Sequence, residues 1–208
     1  MAESRVYLLS PARTDGRRAA MLVNPRSEFP LAARLRSEEG SEIGEVFSFL
    51  SKLYFRGKLT YARAFAPPHG PPPSILVITA DRGLVPPETR VTLDDLRQFG
   101  HVDIAAGDDR YLSPLTRDMT ALSSAIAPDT QVVLLGSIAT GKYVDALLAT
   151  FGSRLVFPAE FVGRGDMSRG GLLLRSAREG RELEYIPVEG AVRRGKRPPR
   201  LEPVRKPR

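Results

Sequence analysis

The densest chemistry in this sequence lies between two apolar runs and the glycines that follow them. Val132–Leu148 reads VVLLGSIATGKYVDALL: an apolar run, then Gly136, Ser137, Ile138, Ala139, Thr140, Gly141 and Lys142, then the start of a helix. Glycines allow a backbone to approach an anion, and a helix start offers unpaired N–H groups and the positive end of its dipole. Lys142 adds a charge, and Ser137 and Thr140 add hydroxyls. The segment stops one residue short of a Walker A loop. Tyr143 stands where the magnesium-binding Ser or Thr belongs, and RLVFPAE supplies no strand ending in a metal-binding aspartate. Three readings stay open: a phosphate or nucleotide contact made by Gly136, Ser137, Thr140, Gly141, Lys142 and Tyr143, a nucleoside triphosphatase loop, and a structural turn.

A second candidate is FVGRGDMSRGG, Phe161–Gly171, with four glycines, two arginines and an aspartate. Read as a flexible loop, it offers Arg164 and Arg169 to phosphates or a carboxylate, and Asp166 as an orienting group or a base; a solvated turn is the alternative. Asp81, at the end of SILVITA, is the other acid–base candidate. LYFRGKLTYARAF, Leu53–Phe65, mixes aromatic and basic residues, as nucleic-acid binders do. The spacing of Tyr54, Tyr61 and Phe65 also fits a packed helix face, from which Lys58 and Arg63 reach toward the crevice. Ser10 has no base near it in sequence and no nucleophile elbow, so it is not counted. His69 and His101 are poorly placed for a triad.

These residues need a sheet to carry them. Ser74–Ala80, Gln131–Gly136 and Arg154–Pro158 are continuous apolar runs, the pattern of buried parallel strands. Helical patterns over Thr92–Gly100, Ser113–Ala127 and Lys142–Gly152 separate them, with Thr92 placed to cap the first. The alternation predicts an α/β fold: one domain over residues 1–191, a mixed sheet with parallel core strands flanked by helices, and antiparallel hairpins at the edges. Arg5–Ser10 with Arg17–Asn24 reads as one hairpin, around Asp15-Gly16. Leu172–Ser176 with Leu183–Pro187 reads as the other. Ser27–Gly40 is a short helix capped by Ser27, and Ile43–Phe65 is a longer one broken at Gly57.

Composition narrows the setting. The 208 residues are 42% hydrophobic and 26% charged, enough for a full core. No apolar run approaches a membrane span, and MAESRVYLLSPAR does not read as a secretory leader, so a cytoplasmic bacterial protein is expected. There is no cysteine, hence no disulfide or thiolate site, and no metal or cofactor is expected. Eight basic residues against the single acid Glu202 lie in Val192–Arg208, so this tail carries the entire net charge of +7. Its prolines and lack of apolar residues predict disorder over residues 192–208. Arg193, Arg194, Lys196 and Arg197 would grip phosphate backbones without reading sequence; a solubilising terminus is the alternative. Candidate partners are DNA or RNA, or a phosphorylated small molecule.

The ordered series LYFRGKLTYARAF, ILVITADRGLVPPETRVTLDDL, VVLLGSIATGKYVDALL and RLVFPAEFVGRG resembles the bacterial group that includes the peroxide-stress-response YaaA family. Ala80, Gly83, Leu84, Pro86, Gly136, Tyr143, Phe157 and Pro158 fall at the matching places, over roughly Phe47–Gly165. Thr79–Glu88 is also similar to the core domain of archaeosine synthase. That family's Pro-Cys pair and histidine are missing here, so its chemistry does not carry over. The resemblance implies an α/β fold and nucleic-acid or nucleobase contexts, and no catalytic residue.

Overall fold

The computed structural model describes residues 4–67, 71–104, 107–139, 141–193, 195–199 and 201, with Lys142 described in its backbone only. Its centre is a six-stranded mixed sheet ordered β4-β3-β1-β6-β7-β8. β1 (Arg5–Leu9), β3 (Ile75–Ile78), β6 (Gln131–Leu135) and β7 (Leu155–Pro158) are parallel. β4 (Leu84–Val85) and β8 (Tyr185–Pro187) close the two edges antiparallel. The apolar runs pair on both sides and are buried on both faces, as their uninterrupted hydrophobicity requires.

Before β3 come α1 (Arg17–Val23), α2 (Pro30–Arg36), α3 (Ile43–Ser51) and α4 (Leu53–Phe65). β2 (Ser41–Glu42) pairs with β5 (Arg90–Val91) in a separate two-stranded sheet. Then follow α5 (Leu93–Gly100), α6 (Asp109–Ala125), α7 (Gly141–Phe151) and α8 (Asp166–Glu179). Thr92 and Asp95 form a reciprocal capping box at the start of α5. Among the described residues no helix is long and apolar enough to cross a membrane.

Several expectations are corrected. Arg17–Asn24 is not a strand. Ala19 and Leu22 are its buried residues, three apart, in a stretch of good helix formers, so it folds as α1. The first hairpin therefore does not exist, and β1 sits inside the sheet with partners on both sides. The second hairpin is also absent. Gly170, Leu173 and Ser176 are buried at helical spacing in α8, and Gly180 adopts the left-handed conformation (φ +62°) of a helix C-cap, not of a hairpin turn. Only its second half, β8, is a strand.

Ser27 does not cap α2. That helix starts at Pro30 after Phe29, and the Ser27 hydroxyl donates to the Met21 carbonyl (2.6 Å). The break between α3 and α4 falls at Lys52 (φ +52°), while Gly57 lies inside α4. α6 begins four residues earlier than expected, at Asp109, because the Asp108 carboxylate accepts from the Arg110 N–H (2.9 Å).

Tyr7 ties β1 to the far end of the chain. Its hydroxyl donates to Glu182 (2.6 Å), which also accepts from Tyr185 (2.8 Å) and pairs with Arg5 (2.6 Å). Tyr61 of α4 joins through Tyr185 (2.6 Å). Burial raises Tyr7 and Tyr185 well above the ordinary phenol range, and Tyr61 to about 12.

Candidate functional site

The chain runs from β1 to β3 on one side, then crosses back to β6 on the other. The order reverses between β1 and β6, and ligands of open α/β sheets sit beyond the carboxyl ends of strands at such a reversal. Ser10 follows β1 there and Gly136 follows β6, joined by a Ser10 N–H to Leu135 carbonyl bond (3.2 Å).

Lys58 of α4 reaches this point from below. Its Nζ is 2.8 Å from both the Oγ and the carbonyl oxygen of Ser10. It is 1% exposed and sits 4.3 Å from the Tyr54 ring centre and 5.1 Å from that of Phe55. Burial lowers its pKa to about 7; Arg169 lowers it too, and Asp166 opposes. No carboxylate among the described residues is within ion-pair distance of it. Tyr143 of α7 reaches the same turn, its hydroxyl donating to the Ser137 carbonyl (3.0 Å). Burial raises Tyr143. Gly136 makes room: a Cβ there would lie 2.8 Å from the Tyr143 hydroxyl and 2.9 Å from Ser10 Cβ.

A crevice opens beside this cluster, past the ends of β1 and β3. One groove, about 500 Å³, is lined by Pro11–Asp15, Phe47, Ala80 and Phe99 among others. A second, about 920 Å³, is lined by Asp81, Gln98, Ser113, Arg110 and Arg117. His101 and Val102 belong to both. The turn under Asp81 is held by Thr79, whose N–H and hydroxyl both reach the Gly83 carbonyl (2.9 and 3.0 Å). Asp81 Oδ1 is buried with no hydrogen-bond partner among the described residues, 3.7 Å from Arg82 Nε. Arg82 itself is committed to Asp95. Burial raises the Asp81 carboxyl above the usual range, Arg82 notwithstanding. Arg13, Arg110 and Arg117 are well exposed at the rim, each in a local ion pair.

The other expected residues take different roles. At Gly136 the space a side chain would take is filled by Tyr143 and Ser10. At the start of α7 the Asp145 carboxylate folds back beside Gly141 and pairs with Arg193 (2.9 Å), so an acid already sits at that helix end. Thr140, Arg194 and the Lys142 side chain lie outside the described residues. Phe161–Gly171 is not a flexible loop. Its second half is the first turns of α8, and Arg169 is buried, donating twice to the Phe161 carbonyl (3.2 and 3.1 Å).

Asp166 is at the exposed start of α8, with a side chain 71% accessible, and is not a buried base. Arg164 donates to the carbonyls of Glu160 (3.0 Å) and Pro199 (3.3 Å). The tail, described at residues 192, 193, 195–199 and 201, has neither helix nor strand there. It runs against Val162 and Gly163, and Leu201 packs on the core. Lys196 and Arg197 are exposed, whereas Lys58 is too deep to meet a nucleic-acid backbone.

Ser10 is the residue that the sequence reading passed over. Its partner is 48 positions away, and one signal was available: Lys58 falls inside the Tyr54–Tyr61 apolar stripe, where a lysine must be buried. Comparison of the chain with known protein families, curated proteins and solved structures finds no match.

Proposed function

We propose that the crevice beyond β1 and β3 receives one nucleotide unit of a nucleic acid, in a protein of the YaaA-like group that the chain resembles. The observation that carries this is the 920 Å³ groove with a buried carboxylate oxygen on its wall, Asp81 Oδ1, that has no hydrogen-bond partner among the described residues. That volume suits a nucleoside-sized ligand. The exposed guanidinium groups of Arg13, Arg110 and Arg117 supply phosphate contacts. Their present partners are surface carboxylates, and such pairs are given up at little cost. Asp81 accepts from the amino edge of a base, or donates to a ring nitrogen when protonated. Lys196 and Arg197 add attraction that reads no sequence.

The test is fluorescence anisotropy of the full chain with labelled single-stranded DNA, duplex DNA and tRNA at two salt concentrations. The Arg110→Ala/Arg117→Ala double variant is expected to weaken binding, and Asp81→Asn to remove preference among the three. Lys196→Glu/Arg197→Glu should weaken all three alike and flatten the salt dependence. Full affinity and preference in the first two variants would remove the crevice from the interface. Binding of free nucleotides but of none of the three polymers would favour an enzyme of small phosphorylated metabolites.

A further inference from the structure

We propose that Ser10 and Lys58 form a serine–lysine dyad that cleaves an ester or amide bond of a small acyl compound. This second activity uses the 500 Å³ groove of the same crevice, and its test does not rest on nucleotide binding.

The geometry is that of a nucleophile and its base. Lys58 Nζ is 2.8 Å from Ser10 Oγ, within reach for proton transfer. The Ser10 carbonyl, also 2.8 Å from Nζ, holds the amine in place. A lysine held only for structure would be expected to face a carboxylate. This one faces a hydroxyl, a carbonyl and two aromatic rings. The charged and titratable groups around it are Asp166 and Arg169 of α8, Tyr54 of α4 and Tyr143 of α7. Burial dominates among these influences and leaves a substantial fraction of neutral amine near pH 7, the form that can accept a proton.

The surroundings favour a neutral carbonyl over a phosphate. Among the described residues, Lys58 is the only basic side chain hydrogen-bonded to Ser10, and Arg169 is spent on the Phe161 carbonyl. Hydroxyl groups are plentiful instead. The Tyr143 hydroxyl donates to the Ser137 carbonyl, and the buried hydroxyls of Tyr54, whose ring faces Lys58, and of Tyr111 have no hydrogen-bond partner among the described residues. Buried hydroxyls without partners are uncommon, and the Tyr54 hydroxyl, on the ring that faces Lys58, would be the donor to an oxyanion formed at Ser10. Ser10 is buried, and the next residue, Pro11, lines the 500 Å³ groove, which would seat the acyl group once a substrate opens the way to Ser10.

The step balances within the dyad and substrate. A lone pair of Ser10 Oγ attacks the carbonyl carbon as the hydroxyl proton passes to Lys58 Nζ. The carbonyl π pair moves onto oxygen, to which the Tyr54 hydroxyl donates. As that pair returns, the bond to the alcohol or amine breaks, and the leaving group takes the proton from the Lys58 ammonium. Water then attacks the Ser10 ester, giving its proton to Lys58, and Ser10 leaves with that proton, restoring the dyad.

A fluorophosphonate probe tests this on the full-length chain, read by intact mass and peptide mapping. Ser10 displaces fluoride, and its proton leaves with the fluoride. One adduct per chain is expected, located on Ser10 and absent in Ser10→Ala. Lys58→Met, which replaces the amine by an apolar chain of similar length, should slow labelling by about 100-fold or more. The unaltered protein gives a second measurement that does not depend on how a variant folds. Its labelling rate should rise with pH and reach half its plateau near pH 7, where the lysine loses its proton. No adduct on Ser10 overturns the proposal. So does a labelling rate that is the same in a folded Lys58→Met chain, or one that is flat between pH 6 and pH 9.

Discussion

Gly57 of α4 and Gly170 of α8 face each other where the two helices cross, and neither has room for a methyl group. A Cβ on Gly57 would lie 2.7 Å from the Gly170 carbonyl oxygen, and one on Gly170 would lie 2.6 Å from that of Leu53. Backbone lies on both sides of the contact, so no side chain can swing aside. Lys58 is the next residue after Gly57, and the contact therefore sets the depth at which its amine meets Ser10. Either Gly→Ala change is expected to destabilise the fold by about 1–3 kcal/mol. Gly100→Ala, whose nearest foreign atom would be 3.9 Å away, should be neutral or mildly stabilising. Urea denaturation of the three variants checks this, and equal midpoints for all three would remove the crossing as a constraint.

Lys58 also gives folding stability a dependence on pH. Its pKa is about 7 in the fold and 10.5 as an ordinary side chain. Between those values the unfolded chain holds a proton that the folded chain has released, so stability rises with pH. The gain is on the order of a few kcal/mol across the window. Above about pH 9.5 it reverses, because the buried tyrosines Tyr7, Tyr54, Tyr143 and Tyr185 all ionise less readily in the fold than in the unfolded chain. Denaturation midpoints from pH 6 to pH 9 should climb in the natural sequence and stay nearly level in Lys58→Met.

Asp81 has the opposite sign. Burial raises its carboxyl, so the folded state keeps a proton over a range where the unfolded chain has lost it. Its contribution therefore falls as pH rises through that range. Asp81→Asn should match the natural protein near pH 3.5 and exceed it at pH 7. The gain is under about 1 kcal/mol, since the carboxylate is partly solvated. Thermal melts at the two pH values read it directly. A loss at pH 7 would mean that the attraction of Arg82, 3.7 Å away, outweighs the burial.

Glu182 accepts from two tyrosine hydroxyls and pairs with Arg5. Glu182→Ala leaves the buried Tyr7 hydroxyl without that acceptor and is expected to cost about 1–3 kcal/mol. Glu182→Gln, which can still accept, should cost less. Chemical denaturation of both variants decides this, and an alanine variant as stable as the natural chain would make the network ornamental.

Legibility in the sequence followed the range of the interaction. The three central apolar runs were readable because a strand buried on both faces must be apolar throughout, and the Thr92 cap was readable because its partner is three residues away. α8 was not. Leu172, Leu174 and Ser176 alternate by chance within a helix, and Gly180 suits a C-cap as well as a turn. Gly136 has a packing role that its sequence context does not announce: it admits Tyr143 and Ser10. Ser10 and Lys58 acquire meaning only when β1 enters the middle of the sheet and α4 closes beneath it, and no local pattern announces that.

The position of β1 has a consequence for how the molecule comes into being. Residues 5–9 pair with residues 131–135 and take side-chain partners from residues 182 and 185. β3 at residues 75–77 can pair one edge of β1 early, but the other edge stays open until residues 131–135 have been made. Contacts so distant along the chain make for slow folding and a long interval in which β1 is open to mispairing. The strand that leads into Ser10 is therefore the one most in need of shelter during synthesis.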